Sequence, residues 1–209
     1  MKGRFVQAAS IAIISFGLLA SCAGTKTKLI AQWKDDAYQG QPAKIFVIGL
    51  SKEYGPRTLL EDEFVRQLSE RGNVAIASYT VLPRDEKPDK EAVLAKVQEV
   101  GADVIIAVKF LKKEAGDTHT PLRRYAVPQG FDTSWDSYAG YDVTTDVGVR
   151  DVSYDRDVIT METTVFQTAT RKPIWSALAQ ITYQNAPIKQ IKPFTTAIVK
   201  ELAQERVVR

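Results

Sequence analysis

The sequence predicts an α/β fold in which a mixed sheet of about five strands packs against helices as an α+β sandwich. Residues 44–50 and 103–111 are short apolar runs without alternation, which is typical of strands covered on both faces. Two helical patterns lie between these runs, and residues 158–167 alternate between apolar and polar side chains. Together these observations predict the order β-α-β-α-β, followed by an antiparallel hairpin and a C-terminal helix.

The first half of the chain contains the helices of the predicted β-α-β-α-β unit. The first helix begins around Pro56, whose missing N–H costs nothing in a first helical turn, and it ends at Gly72. A second strand is predicted over 74–82. A second helix follows over about 89–100, and Gly101 is its expected C-terminal cap. Short links between these elements favour parallel strands joined by crossovers.

The second half of the chain predicts a hairpin and one more helix. Residues 158–167 and 174–183 flank a turn, so we expect an antiparallel pair with one wetter face. Pro193 then begins a helix that needs a sheet face to cover its apolar side. That side consists of Phe194, Ile198, Val199 and Leu202.

Residues 117–152 interrupt this rhythm with a long stretch that is rich in aromatic and aspartate residues. A loop of this length within a compact domain is usually either functional or disordered. Exposed aromatic rings supply much of the energy at binding sites, so this loop is the leading candidate for a binding surface. The candidate contact residues are Trp135, Tyr138, Tyr141, Asp136 and Asp142. The alternative is a flap whose rings simply cover an open end of the core, and it is the favoured one.

The N-terminal segment has the features of an export signal. Lys2 and Arg4 precede an apolar run over residues 5–19, which is too short to cross a bilayer as a stable helix. The run ends in Leu-Ala-Ser-Cys, and this cysteine, Cys22, is the only one in the chain. This arrangement resembles the lipobox of bacterial lipoproteins, in which the leader is removed before the cysteine. The resemblance implies that Cys22 carries a diacylglyceryl thioether and an amide-linked acyl chain such as palmitate.

The lipobox resemblance also predicts where the protein resides. Several acyl chains on one residue are enough for stable membrane attachment. In the lipoprotein pattern the residue after the cysteine directs sorting, and Ala23 lacks the acidic character of an inner-membrane retention signal. We therefore expect a lipid anchor in the outer membrane of a Gram-negative bacterium, with the protein on the periplasmic side.

Length and charge limit the domain organisation. We expect a signal peptide over 1–21, the lipidated cysteine with a short tether over 22–30, and a single α/β domain over 31–209. The formal charge of +3 falls to +1 when the leader with Lys2 and Arg4 is removed. No basic field remains to attract nucleic acid.

The residue inventory argues against the common catalytic chemistries. The only histidine, His119, lies in the long loop, and the only cysteine is assigned to the anchor. Zinc sites and nucleophilic triads need further ligands or an orienting partner. The glycines near the end of the 44–50 run lack the spacing of a P-loop or a dinucleotide fingerprint. An anion could bind where Gly55 and Pro56 begin a helix beside a strand tip, but we interpret these as turn residues. We expect no cofactor, no metal and no catalytic residue.

Several short segments of the chain resemble the bacterial lipoprotein family known as domain of unknown function 4136. The matching segments are Trp33, the strand at 44–50, the helix at 57–68 with Glu61, residues 72–83 with Ser78 and Tyr79, residues 101–103, and Trp175 with Ser176. They span most of residues 33–202, and the match is weakest over 117–151. Because that family has no established activity, the resemblance implies a lipoprotein α/β domain and transfers no site residue.

These observations predict a non-catalytic binding or structural component of the cell envelope. Its partners would be the membrane, through the N-terminal lipid, and an envelope protein or a glycan. One alternative is a regulator of a cell-wall or envelope enzyme complex, which the short tether argues against unless the partner projects outward. A second alternative is a glycan hydrolase that uses Asp or Glu side chains. In that case Asp136→Asn or Asp142→Asn should abolish turnover of peptidoglycan fragments.

Overall fold

A computed structural model describes residues 26–51, 53–83, 89–114, 135, 157–183 and 187–209. The strands are β1 (Lys26–Lys34), β2 (Lys44–Leu50), β3 (Val74–Ala77), β4 (Val104–Glu114), β5 (Asp157–Gln167) and β6 (Pro173–Tyr183). The helices are α1 (Tyr54–Glu70), α2 (Lys90–Glu99) and α3 (Ile191–Gln204), with short 3-10 segments at Ser78–Thr80 and Pro187–Gln190. The tyrosines, aspartates and cysteine named as candidates above lie outside the described residues.

The six described strands form one mixed sheet in the order β1-β6-β5-β4-β2-β3. Strand β2 pairs in parallel with β3 and with β4, whereas β4, β5, β6 and β1 follow one another in antiparallel pairs. This confirms the predicted α/β class, the mixed sheet, the hairpin and the C-terminal helix. The sheet has one strand more than the expected five or so.

The additional strand is β1, and it corrects the predicted tether. From Lys26 onward the chain is not a free linker, because Lys26–Lys34 pairs antiparallel with β6. The segment is an edge strand, so it needs few apolar residues, and Leu29 packs against the core while Lys28 is exposed. Its backbone bonds go to a strand about 150 residues later in the chain, so local sequence could not indicate the pairing.

Strand β3 is shorter than the predicted 74–82 strand. It ends at Ala77, and Ser78–Thr80 turn into a 3-10 segment. The cause is the carboxylate of Glu61 on α1, which accepts hydrogen bonds from Ser78 Oγ at 2.8 Å and Tyr79 N at 3.0 Å. These bonds hold the backbone out of strand geometry.

The helices cover the sheet on two faces and form two apolar clusters. On one face α1 and α3 pack over the sheet, and Phe64 contacts Phe194 edge to face with ring centroids 6.2 Å apart. On the other face α2 covers β2 and β4 with Val93, Leu94 and Val97. Burying each such side chain contributes about 1.5–3 kcal/mol, so β2 is stabilised from both sides, as its unbroken apolar run predicts.

Two glycines end the helices α1 and α2 in the way the sequence predicts. Gly72 and Gly101 have φ values of +81° and +65°. This left-handed conformation is sterically unfavourable for residues with a Cβ but not for glycine. Among the described helices, none combines the length and the apolar character that crossing a bilayer requires.

Candidate functional site

A pocket of about 500 Å³ lies at the carboxyl ends of β2 and β4. The chain after β2 leads through α1 to β3 on one side, whereas the chain after β4 returns as β5 on the other side, so the connections after these two neighbouring parallel strands lead in opposite directions. In open α/β sheets such a topological switch point is where ligands bind. The volume is within the range of about 300–1,000 Å³ that is usual for small-molecule sites.

The wall of this switch-point pocket is mainly apolar. It is built by β2, β4, β5, β6, the start of α1 and the start of α3. Phe110 and Ile188 line it while remaining 48% and 50% exposed, so the rim of the pocket presents apolar surface to solvent. The other apolar lining residues are Leu50, Pro56, Leu60, Val108, Ile159, Met161, Ile181, Ile191 and Phe194.

Gln190 adds one polar group to this apolar wall. Its side chain is only 6% exposed, and its Oε1 has no hydrogen-bond partner. A buried polar atom without a partner costs about 1–3 kcal/mol, so most such atoms in proteins are paired with protein or water. The wall of the pocket therefore contains one buried amide oxygen without a hydrogen-bond partner.

A buried ionic network closes the α1 side of the pocket. Glu61 is fully buried and accepts hydrogen bonds at Oε1 from Gly49 N (2.9 Å), Arg57 Nε (2.9 Å) and Ser78 Oγ (2.8 Å). Arg57 Nη2 donates to Ser78 Oγ at 2.7 Å, and Ser78 in turn donates to Glu61. Each charge in this network therefore has a partner within hydrogen-bond distance.

The network explains why Gly49 is a glycine. A Cβ at this position would lie 3.3 Å from Arg57 Cγ and 3.4 Å from Leu60 Cδ2, against side chains that the network holds in place. The carboxylate of Glu61 already accepts four bonds, which suits a structural role better than proton transfer to a ligand.

A second polar group lies on the opposite face of the sheet. Lys109 is buried on β4 and pairs in register with Glu162 on β5. Desolvation lowers the pKa of Lys109, and the negative charge of Glu162 opposes that shift. This pair is separated from the switch-point pocket by the sheet itself.

The described part of the predicted binding loop contradicts the expectation of an exposed Trp135. Its side chain is 0% exposed and meets Phe166 edge to face, with centroids 5.6 Å apart. Its backbone N–H donates to the carbonyl of Arg171 at 3.0 Å. Trp135 is thus part of the second apolar cluster, and for this residue the favoured alternative of a core cover is the better description.

The structure does not describe the remaining predicted site residues. Cys22, Asp136, Tyr138, Tyr141 and Asp142 lie outside the described residues. Within the described ranges, no group of three or more His, Cys, Asp and Glu side chains is placed to hold a metal ion.

Sequence reasoning missed the switch-point pocket, although one signal was present. A strand tip beside a helix N-terminus is indicated by Gly49-Leu50-Ser51 followed by Gly55-Pro56. The same residues are also typical of an ordinary turn, which is the interpretation that the sequence favours. Seven of the sixteen lining residues come from residues 159–194, which local patterns could not connect with β2 and α1 at all.

Comparisons with known proteins find similarity to solved structures alone. No family model matches the chain. No curated protein matches it either. The resemblance to the domain of unknown function 4136 family therefore stays a prediction.

Solved structures with a similar outline include two bacterial proteins. The PelC dodecamer from Paraburkholderia phytofirmans is 11% identical with a TM-score of 0.44, and the match covers 85% of this chain and 96% of that one. Lipoprotein GNA1162 from Neisseria meningitidis is 12% identical with a TM-score of 0.40, covering 77% of this chain and 96% of that one. At this level of similarity neither residues nor function transfer to this chain.

Proposed function

We propose that this chain is an outer-membrane lipoprotein that faces the periplasm and acts as a non-catalytic binding component of the envelope. The acyl chains on Cys22 would hold it to the membrane. The basic start, the short apolar run and the Leu-Ala-Ser-Cys sequence support this anchor. Membership of the domain of unknown function 4136 family belongs to the same proposal.

The switch-point pocket is the observation that carries the binding role. Its lining residues are mainly apolar, and the charged ones are Glu53 and Arg57. Arg57 is engaged by Glu61 and Ser78. A preformed, mainly apolar cavity with a few polar groups is the usual composition of a ligand site.

With an anchor on Cys22, the start of β1 would keep this pocket near the membrane. Lys26, where β1 begins, is four positions after Cys22, and an extended chain spans at most about 3.3–3.6 Å per residue. The domain would therefore lie within roughly 15 Å of the lipidated residue. Partners and ligands at the membrane surface are favoured over those across the periplasm.

Mass spectrometry and fractionation test the anchor. The native N-terminus should be a Cys22 that carries acyl chains, and Cys22→Ser should move the protein from the membrane fraction to the soluble fraction. An N-terminus without acyl groups would overturn the anchor.

Crosslinking in intact cells followed by affinity purification tests the binding role. The parent should retain an envelope protein or glycan that Phe110→Ser reduces. Val74→Ser is the matched control, because Val74 is 54% exposed but lies at the opposite end of the sheet. Equal recovery from the two variants would count against the pocket as the binding site.

A further inference from the structure

The switch-point pocket lies at the end of the sheet where β1 begins. Thr27 on β1 pairs with Ile181 on β6, and Ile181 lines the pocket. Neighbouring strands are about 4.8 Å apart, so the first described residues of the chain are one strand away from the pocket wall. A lipid anchor on Cys22 would leave the domain at this same end.

The rim of the pocket is apolar, and exposed lysines follow one of its residues in the chain. Phe110 and Ile188 expose large apolar surfaces, and Lys189 and Lys192, just after Ile188, are both exposed. Glu53 is the acidic residue among those that line the pocket in the described chain. Apolar groups beside exposed lysines are typical of protein surfaces that settle into the boundary of an anionic bilayer.

The interior of the pocket matches the chemistry of a phospholipid tail. An acyl chain is apolar along its length and ends at an ester carbonyl, which accepts hydrogen bonds. The wall is apolar apart from a few groups, and the Gln190 amide is the one with an unpaired buried oxygen. The Gln190 amide also carries N–H donors, the kind of group that such a carbonyl accepts from.

We infer that this end of the domain rests on the bilayer and that the pocket takes one acyl chain of a membrane phospholipid. The inference rests on the proposed function, because the anchor on Cys22 is what would keep the pocket at the membrane. Two features carry it independently of the anchor: the exposed apolar rim with Lys189 and Lys192 close by in the chain, and the unpaired amide oxygen of Gln190 within a mainly apolar wall.

Photo-crosslinking in vesicles tests the inference. The chain purified from its membrane fraction is reconstituted into phosphatidylethanolamine–phosphatidylglycerol vesicles that contain a phospholipid with a diazirine near the end of one acyl chain. After irradiation and digestion, mass spectrometry locates the label. We expect it on the peptides that contain Phe110, Met161 and Ile188, several-fold above the peptide that contains Val74.

Two variants separate occupation of the pocket from chance contact. Met161→Trp narrows the pocket and should reduce label on its lining peptides several-fold, and Val74→Trp is the matched control that should leave label unchanged. Ile188→Ser, at an exposed rim position where folding is little affected, should also reduce the label. Label spread evenly over the chain, or unaffected by Met161→Trp and Ile188→Ser, overturns the inference.

An unacylated chain distinguishes failure of the pocket from failure of the anchor. A chain that begins at Ala23, and so lacks both the leader and Cys22, is added to the same vesicles at matched concentration. Label in its pocket supports the inference even if the native N-terminus proves to be unacylated, in which case the proposed anchor alone fails. An acylated native chain without label in the pocket overturns the inference and leaves the anchor standing.

Discussion

Glu61 connects three elements through one side chain. Its carboxylate bonds to β2 at Gly49, to α1 at Arg57 and to the 3-10 segment at Ser78 and Tyr79. A buried charge is costly unless its partners remain in place. This carboxylate therefore holds the polar side of the pocket in one arrangement.

Glu61→Gln should lower the free energy of unfolding by about 3 kcal/mol, because it leaves the buried Arg57 guanidinium without a counter-charge. Urea unfolding followed by circular dichroism measures the change. Glu70→Gln is the matched control, since Arg66 and Glu70 form an ion pair with the same spacing on the exposed side of α1. The prediction is contradicted if both variants unfold at the same urea concentration.

Gln190→Met should stabilise the ligand-free protein by about 1 kcal/mol, because it removes a buried oxygen that has no hydrogen-bond partner. Methionine is unbranched and similar in length, so the packing of the pocket should change little. Thermal unfolding in detergent without added phospholipid measures the effect. A lower melting temperature than the parent would show that Gln190 has a structural partner in the free protein.

Lys109 should make stability depend on pH in the alkaline range. Burial lowers its pKa below 10.5, so between the lowered pKa and 10.5 the unfolded chain binds more protons than the folded one. The cost of burying the charge is complete below the lowered pKa and is relieved as the pH rises through it. Unfolding free energies of the parent and Lys109→Met, measured from pH 8 to 10.5, should show the parent gaining relative to the variant. A difference in unfolding free energy that stays constant with pH would contradict a lowered pKa of Lys109. Tyr38 and Tyr79, whose pKa values are raised, are present in both proteins, so their contribution drops out of the difference.

At the scale of elements, edge positions are secured by side chains from distant segments. Asn73, just before the edge strand β3, donates from Nδ2 to the Leu68 carbonyl at 3.1 Å and accepts at Oδ1 from Arg209 N at 3.1 Å. The C-terminal segment after α3 is thereby fixed beside α1, with Val207 and Val208 buried.

Asn73→Ala should cost about 1–3 kcal/mol, because a buried backbone carbonyl loses its side-chain donor and the C-terminal segment loses its attachment. Hydrogen exchange should accelerate most at the backbone N–H of Val207, Val208 and Arg209. Ser69→Ala, at an exposed position on α1, is the control and should leave these rates unchanged. Uniform acceleration across the sheet would indicate global destabilisation instead.

At the scale of the whole molecule, the sheet separates two apolar clusters, one on each of its faces. One lies under α1 and α3 and continues into the switch-point pocket, and the other lies under α2 and includes Trp135. The long stretch between β4 and β5 therefore contributes to the core through at least this one residue.

Trp135→Ala should destabilise the whole domain by about 3–5 kcal/mol, because a fully buried ring leaves a large cavity next to Phe166. Trp135→Phe should cost less, since an aromatic ring remains in contact. Chemical unfolding compares the two. A value near zero for Trp135→Ala would restore Trp135 as a surface residue available to a partner.

Local sequence predicted the elements whose residues supply their own pattern. The bounds of β2 match the predicted run, and α1, α2, β4, β5, β6 and α3 lie within a few residues of their predicted positions. Pro56, Gly72 and Gly101 marked helix ends for reasons that act within one turn of the chain. The prediction was wrong where contacts with distant residues determine the secondary structure. Strand β1 forms by pairing with β6, and β3 ends where Glu61 binds Ser78 and Tyr79.

The sequence by itself determined the α/β class and the order of most elements, and it predicts the anchor at Cys22, because periodicity, turn residues and the pattern of an export signal extend over a few neighbouring positions. The tertiary structure alone decided the strand order, the burial of Trp135 and the pocket between β2, β4 and α3. These depend on residues far apart in the chain, such as Gly49 and Gln190, which meet only when the sheet forms. The physical reason is that packing and buried hydrogen bonds are satisfied across the whole fold, so no segment carries them alone.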